Sequence, residues 1–86
     1  MKAVLLFDER QEFVPGIFAE MVLWRVPTPV RGSKHSYKYR LALVALGSCV
    51  LRYDNEDGKG DHKHIGDMEQ SYRFIDRMTL FTDFLP

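Results

Sequence analysis

The segment Arg52-Tyr53-Asp54-Asn55-Glu56-Asp57-Gly58-Lys59-Gly60-Asp61-His62-Lys63-His64-Ile65 gathers most of the side chains in this sequence that can do chemistry. If His62 to His64 is extended, both imidazoles share one face and Lys63 takes the other. Lys59 stands between Gly58 and Gly60, where the missing side chains let the backbone come close to a ligand. Histidine titrates near neutrality, so two of them can divide proton transfer without a metal. Cleavage of RNA needs that division. A base takes the ribose 2′-hydroxyl proton, an acid protonates the leaving 5′-oxygen, and cations hold the charge on phosphorus oxygens. In this reading His62 and His64 are the base and acid in either order. Lys59 and Arg40 steady the phosphate, with Lys38 and Arg52 beside them. Asp61 or Asp54 orients an imidazole, and Tyr53 and Asp54 complete the surface that meets substrate. No cofactor and no metal is called for.

Other chemistries compete for the same residues. His62-x-His64 with Asp61, Asp67 or Glu69 offers enough nitrogen and oxygen donors for Zn²⁺, Fe²⁺ or Mn²⁺. The run His62-x-His64-x₄-Glu69 resembles part of the first cupin motif. However, Glu56 stands where that motif has glycine, no second motif follows, and 86 residues are too few for a cupin barrel. A third possibility is a solvated loop with no chemistry, or a surface that binds without catalysing. Cys49, in an apolar run, reads as a buried structural thiol. His35 has no evident partner in its polar surroundings.

Composition narrows the field. Twelve basic and twelve acidic residues cancel, so bulk charge cannot attract nucleic acid. A local patch can: Arg25, Arg31, Lys34, Lys38 and Arg40 occur in a stretch with no acidic residue. One cysteine excludes an intrachain disulfide and any multi-cysteine zinc site. The apolar run Ala3 to Phe7 is far shorter than a signal core or a membrane span. The expected compartment is the cytoplasm, with no membrane association. Eighty-six residues make one domain, 1–86, with little core of its own. A homodimer or a complex with a partner is therefore expected.

The elements that must position these residues follow from the apolar pattern. Ala3 to Phe7 reads as a strand ended by Asp8-Glu9-Arg10. Val14-Pro15-Gly16-Ile17 is a turn signal. Ile17 to Val26 is apolar on both faces and reads as a central strand covered on both sides. Tyr37 to Ala45 alternates, Leu46-Gly47-Ser48 turns, and Cys49 to Tyr53 returns, with Leu51 near Ala42 within one register step. Asp54 to Asp61 looks too rich in glycine and acid for regular structure. His62 to Ile65 is extended, Gly66 to Ser71 turns, and Tyr72 to Phe74 forms a last edge piece. Asp76 caps a helix from Arg77 to Leu85 that gathers Leu80, Phe81, Phe84 and Leu85 on one side. The expectation is α+β: an antiparallel meander of about five strands with one short C-terminal helix on one face. That helix is brief, and the chain stops at Pro86 soon after its apolar side appears, as though shortened.

Taken in order, Lys38-Tyr39-Arg40-Leu41-Ala42, Val50-Leu51-Arg52-Tyr53-Asp54-Asn55-Glu56, Gly58-Lys59-Gly60-Asp61-His62-Lys63-His64-Ile65-Gly66 and Tyr72-Arg73-Phe74 resemble the TumE-type toxins of bacterial and archaeal toxin–antitoxin pairs. Glu20-Met21-Val22-Leu23-Trp24-Arg25-Val26-Pro27 matches in style. The resemblance spans almost the whole chain. It implies a small cytoplasmic toxin encoded beside, and silenced by, a DNA-binding antitoxin. By analogy with other small toxins it implies action on RNA as a ribonuclease.

Overall fold

Short connections between successive strands force neighbours in sequence to become neighbours in space. The structure, a computed structural model, describes residues 2–85. Strands β1 (Val4–Val14), β2 (Ile17–Arg25), β3 (Tyr37–Ala45), β4 (Ser48–Glu56), β5 (Gly60–Ile65) and β6 (Met68–Ser71) form one sheet in chain order, and helix α1 (Arg77–Phe84) follows. Every pair is antiparallel. The expected α+β meander is present, with six strands where about five were expected.

The additional pairing arises where charge was read as the end of a strand. β1 continues past Asp8-Glu9-Arg10 to Val14, paired to β2 throughout. It is an edge strand, so its charged side chains stay in water and discourage further pairing. Arg10 lays its guanidinium 3.8 Å from the Phe18 ring centre. Asp54 to Asp61 is also strand at both ends, with only residues 57–59 left for the turn. β6 occupies most of the expected Gly66 to Ser71 turn, and Tyr72-Arg73-Phe74 lies outside the sheet. The β3–β4 register sets Leu51 opposite Leu43 and Arg52 opposite Ala42, within the one step expected.

Among the described residues, only one face of the sheet carries a layer. Ala19, Met21, Leu23, Tyr39, Leu41 and Tyr53 meet Leu80 and Phe84 of α1 there, all buried. β2 is therefore covered on one side and not on both: Glu20 and Trp24, on its other face, are exposed. Cys49 is exposed as well, because its end of the β3–β4 hairpin projects beyond the core. An eight-residue helix cannot persist alone, so packing holds α1 in place. Burying Leu80 fully contributes about 1.5–3 kcal/mol. Asp76 starts the helix as expected, accepting a hydrogen bond from the Thr79 N–H at 2.7 Å. Among the described residues no helix is long and apolar enough to cross a membrane.

One contact between loops fixes the β4–β5 turn. Gly58 N–H donates to the Arg31 carbonyl at 2.7 Å. Gly60 has a φ of +73° and packs against Gly32 so tightly that a Cβ at Gly60 would strike the Gly32 carbonyl. The glycines around Lys59 thus admit the protein's own β2–β3 loop, where the sequence suggested a ligand.

Candidate functional site

Cross-strand register assembles the site. Arg52 lies opposite His64 and Asp54 opposite His62, and β6 adds Glu69 opposite His64 and Ser71 opposite His62. Period-two alternation puts Arg52, Asp54, His62 and His64 on the sheet face away from α1. The two imidazoles share that face as expected, with ring centres 4.9 Å apart. Lys63 points to the other side, its ammonium 5.8 Å from the Tyr53 ring centre.

The two histidines occupy different environments. The His62 side chain is only 4% exposed. Its Nδ1 lies 3.0 Å from the Gly60 carbonyl, which can only accept, so Nδ1 carries the proton. Its Nε2 faces Asp54 Oδ1 at 3.0 Å, Glu69 Oε1 at 3.6 Å and Glu56 Oε1 at 3.9 Å. His64 is more open, with its side chain 22% exposed. Its Nε2 lies 3.0 Å from Arg52 Nη2. Arginine has no acceptor, so His64 Nε2 presents its lone pair to Arg52. Arg52 Nε in turn faces Asp54 Oδ2 at 3.1 Å. Lys59 reaches the site through Glu69, at 3.3 Å, and this hydrogen bond holds the Glu69 carboxyl below the usual carboxylate range. The surroundings of the imidazoles are thus mixed: three carboxylates with Arg52 and Lys59.

Other residues singled out in the sequence go elsewhere. Asp61 turns to the helix side and accepts from Ser33 Oγ at 2.6 Å, His35 Nε2 at 2.7 Å and Tyr39 OH at 2.6 Å. Burial, then this hydrogen bond, pushes the Tyr39 hydroxyl well above the ordinary tyrosine range. Tyr53 is buried in the core and meets Phe84 edge-on. Lys38 Nζ donates to the Asn55 carbonyl at 2.9 Å. Arg40 is exposed on the same face as His62 and His64, opposite Asp54 in the β3–β4 ladder. Trp24, opposite Lys38, is exposed on this face too.

Two adjoining hollows flank β6. One, of about 370 Å³, is lined by Lys59, His62, Glu69, Gln70 and Ser71. The other, of about 500 Å³, shares Lys59 and Ser71 with it and adds Lys34, His35, Arg73 and Phe74 among its walls. Of the cations expected to hold phosphate, Lys59 lines both hollows, Arg40 and Arg52 lie on the face of the imidazoles, and Lys38 is held by the Asn55 carbonyl. Sequence reasoning missed the roles of His35 and Asn55. His35 is held by Asp61, accepts the Tyr37 N–H on Nδ1 at 3.2 Å and stacks on Phe74 with ring centres 3.7 Å apart. Asn55, fully buried, accepts from the Tyr39 N–H at 3.0 Å and donates to the Tyr37 carbonyl at 2.7 Å. No local pattern announces either role.

The donor set that can hold a cation is Asp54, His62 and His64, whose ligand atoms all lie within 4.8 Å of one another. Glu69 borders it. Asp61 is turned away, and Asp67 lies in the β5–β6 turn.

No curated protein and no solved structure matches the chain. A family model described as Toxin TumE matches residues 4–86, which takes in all six strands and α1. That match covers nearly the whole sequence, including the Lys59-to-His64 segment that carried the resemblance, and the chain belongs to the TumE toxin family.

Proposed function

We propose that this toxin acts on RNA by cleaving its backbone, with His64 as the general base and Arg52 and Arg40 as the phosphate-holding cations. The observation that carries the proposal is the half-buried His64 on an uncovered sheet face, its Nε2 accepting from the Arg52 guanidinium at 3.0 Å. When a bound phosphate draws Arg52 off that nitrogen, a ribose 2′-hydroxyl set beside it loses its proton to it. The 2′-oxygen then bonds to phosphorus, and the bond to the 5′-oxygen breaks. That oxygen leaves with a proton from solvent, giving a 2′,3′-cyclic phosphate and a 5′-hydroxyl. Arg52 and Arg40 stabilise the charge gathered on the phosphorus oxygens. Exposed Trp24 offers a base a ring to stack on, and the hollow containing Lys34, Lys59 and Arg73 receives neighbouring phosphates.

His62 is buried and donates Nδ1–H to the Gly60 carbonyl, so it takes no proton from substrate in this reading. Family membership implies an antitoxin partner. We take that partner to be a DNA-binding protein, and the shared compartment to be the cytoplasm.

The test is cleavage of RNA by purified, chelator-treated protein, with product ends identified. Cyclic phosphate ends and a loss of roughly 10²–10⁴-fold in His64→Gln are expected for a general base. Arg40→Ala should weaken binding and flatten its salt dependence. Unimpaired cleavage and toxicity in His64→Gln would sink the proposal.

A further inference from the structure

We propose that Asp54, His62 and His64, bordered by Glu69, form a binding site for one divalent first-row transition metal ion, zinc for preference. Three observations converge. The first is spacing. Two metal bonds of about 2.0–2.1 Å at a tetrahedral angle put their donor atoms about 3.3 Å apart. The separations here bracket that value: His62 Nε2 to Asp54 Oδ1 3.0 Å, His62 Nε2 to Glu69 Oε1 3.6 Å, His64 Nε2 to Asp54 Oδ1 3.8 Å and His64 Nε2 to Glu69 Oε1 4.0 Å.

The second is the state of the donor atoms. His62 Nδ1 donates to the Gly60 carbonyl, so the neutral ring leaves its Nε2 lone pair free, 3.0 Å from Asp54 Oδ1 without a hydrogen bond to it. Such an outer hydrogen bond is the one that metal-bound histidines usually make. His64 Nε2 also presents a lone pair, since it accepts from Arg52. Lone pairs from two imidazoles and a carboxylate therefore converge, with the Arg52 guanidinium at one edge.

The third is burial without satisfaction. His62 Nε2 and Asp54 Oδ1 are both buried and neither has a hydrogen-bond partner, although their side chains are only 4% and 9% exposed. Orphaned polar groups at such depth are costly, and a cation between them removes the cost for both at once. Two nitrogens with carboxylate oxygens suit zinc and its neighbours and do not suit magnesium or calcium. For His64 to join, Arg52 must release its Nε2 while keeping Asp54 Oδ2. Glu69, held through Lys59 at the rim, then supplies the fourth donor.

A proton is the competing occupant: a charged His62 would donate Nε2–H to Asp54. The experiment separates the two. Full-length protein without a histidine tag is stripped with chelator and titrated with Zn²⁺ against a competing dye. Co²⁺ then replaces Zn²⁺, and its visible d–d bands report the coordination number. One equivalent should bind, with four-coordinate bands. Losing an outer partner of a metal ligand already costs roughly 10–100-fold in affinity. Asp54→Asn, His62→Gln and His64→Gln should cost at least that, and Glu69→Gln less. Glu69 is exposed on β6, so that variant keeps the fold and isolates the rim contribution.

Absence of saturable binding, or binding that survives both His64→Gln and Glu69→Gln unchanged, overturns the site in favour of the buried ion pair. Binding is read without RNA, so this outcome is independent of the cleavage proposal. Where that proposal also holds, the ion occupies the base. Zinc then suppresses cleavage and chelator restores it.

Discussion

His35 Nε2 donates to Asp61 at 2.7 Å, although 26 positions separate them in the chain. The contact joins the β2–β3 loop to β5 on the helix side of the sheet. Ser33 and Tyr39 donate to the same carboxylate, and Phe74 covers the His35 ring. Asp61 therefore ties a loop, two strands and the approach to α1 together, while its sequence neighbour His62 faces the opposite side.

Asp61→Asn should weaken the fold and leave the chemistry of the open face intact. The amide cannot accept from three donors as a carboxylate does, and its NH₂ would confront one of them. Charge-assisted hydrogen bonds contribute about 1.5–3 kcal/mol each, so a loss of about 2 kcal/mol or more is expected in urea unfolding. His64→Gln should leave that unfolding midpoint within about 0.5 kcal/mol of the parent, as partly exposed sites away from the core usually do. Equal destabilisation by the two substitutions would contradict this division of labour.

Gly60→Ala and Gly47→Ala test two different reasons for glycine. Both positions have positive φ, at 73° and 84°. A Cβ at Gly47 meets nothing, so its cost is the left-handed backbone alone, about 1–2 kcal/mol. A Cβ at Gly60 also drives into the Gly32 carbonyl, which belongs to backbone and cannot rotate aside. Gly60→Ala should therefore be the more destabilising by a clear margin in denaturant midpoint. It should also loosen the β2–β3 loop, read as faster amide exchange at Gly58, whose N–H bonds the Arg31 carbonyl.

What the sequence revealed was whatever depends on near neighbours. Alternation along Tyr37 to Ala45 disclosed β3, Asp76 disclosed the start of α1, and His62-x-His64 disclosed a shared face. The hidden parts depend on distant pairing. Charged β1 beyond Phe7 is strand because β2 pairs with it, and Asp54 and Asn55 are strand because β3 and β5 do. Asp61 and Asp54 are both expected to orient an imidazole, but in a strand adjacent residues point apart, so Asp61 faces away from His62. The true partner of His62, Asp54, lies across the ladder, eight positions back. Lys59 reaches the site only through Glu69, a residue the sequence offered merely as a ligand candidate.

The pH dependence of stability should have two limbs with different owners. Asp76 is held below the usual carboxylate range by the Thr79 backbone hydrogen bond, and Glu69 by Lys59. A carboxylate lowered in the folded state binds fewer protons there than when unfolded. Its contribution is fully present above the unfolded pKa of about 4 and disappears as pH falls through the folded value. On the other side, burial followed by Asp61 raises Tyr39, and burial followed by Asp83 raises Tyr72. The unfolded chain ionises these hydroxyls near pH 10 while the folded one keeps its protons, so stability declines as pH rises past that point. Denaturant midpoints measured from pH 3 to pH 11 should fall at both ends. Asp76→Ser keeps a neutral cap and should flatten the acid limb without touching the alkaline one. Tyr72→Phe removes the 2.6 Å bond to Asp83 and should flatten the alkaline limb only. If Tyr72→Phe left the alkaline decline unchanged, Tyr39 alone would have to account for it, and tyrosinate absorbance in the folded protein would then show Tyr72 ionising at its ordinary pH.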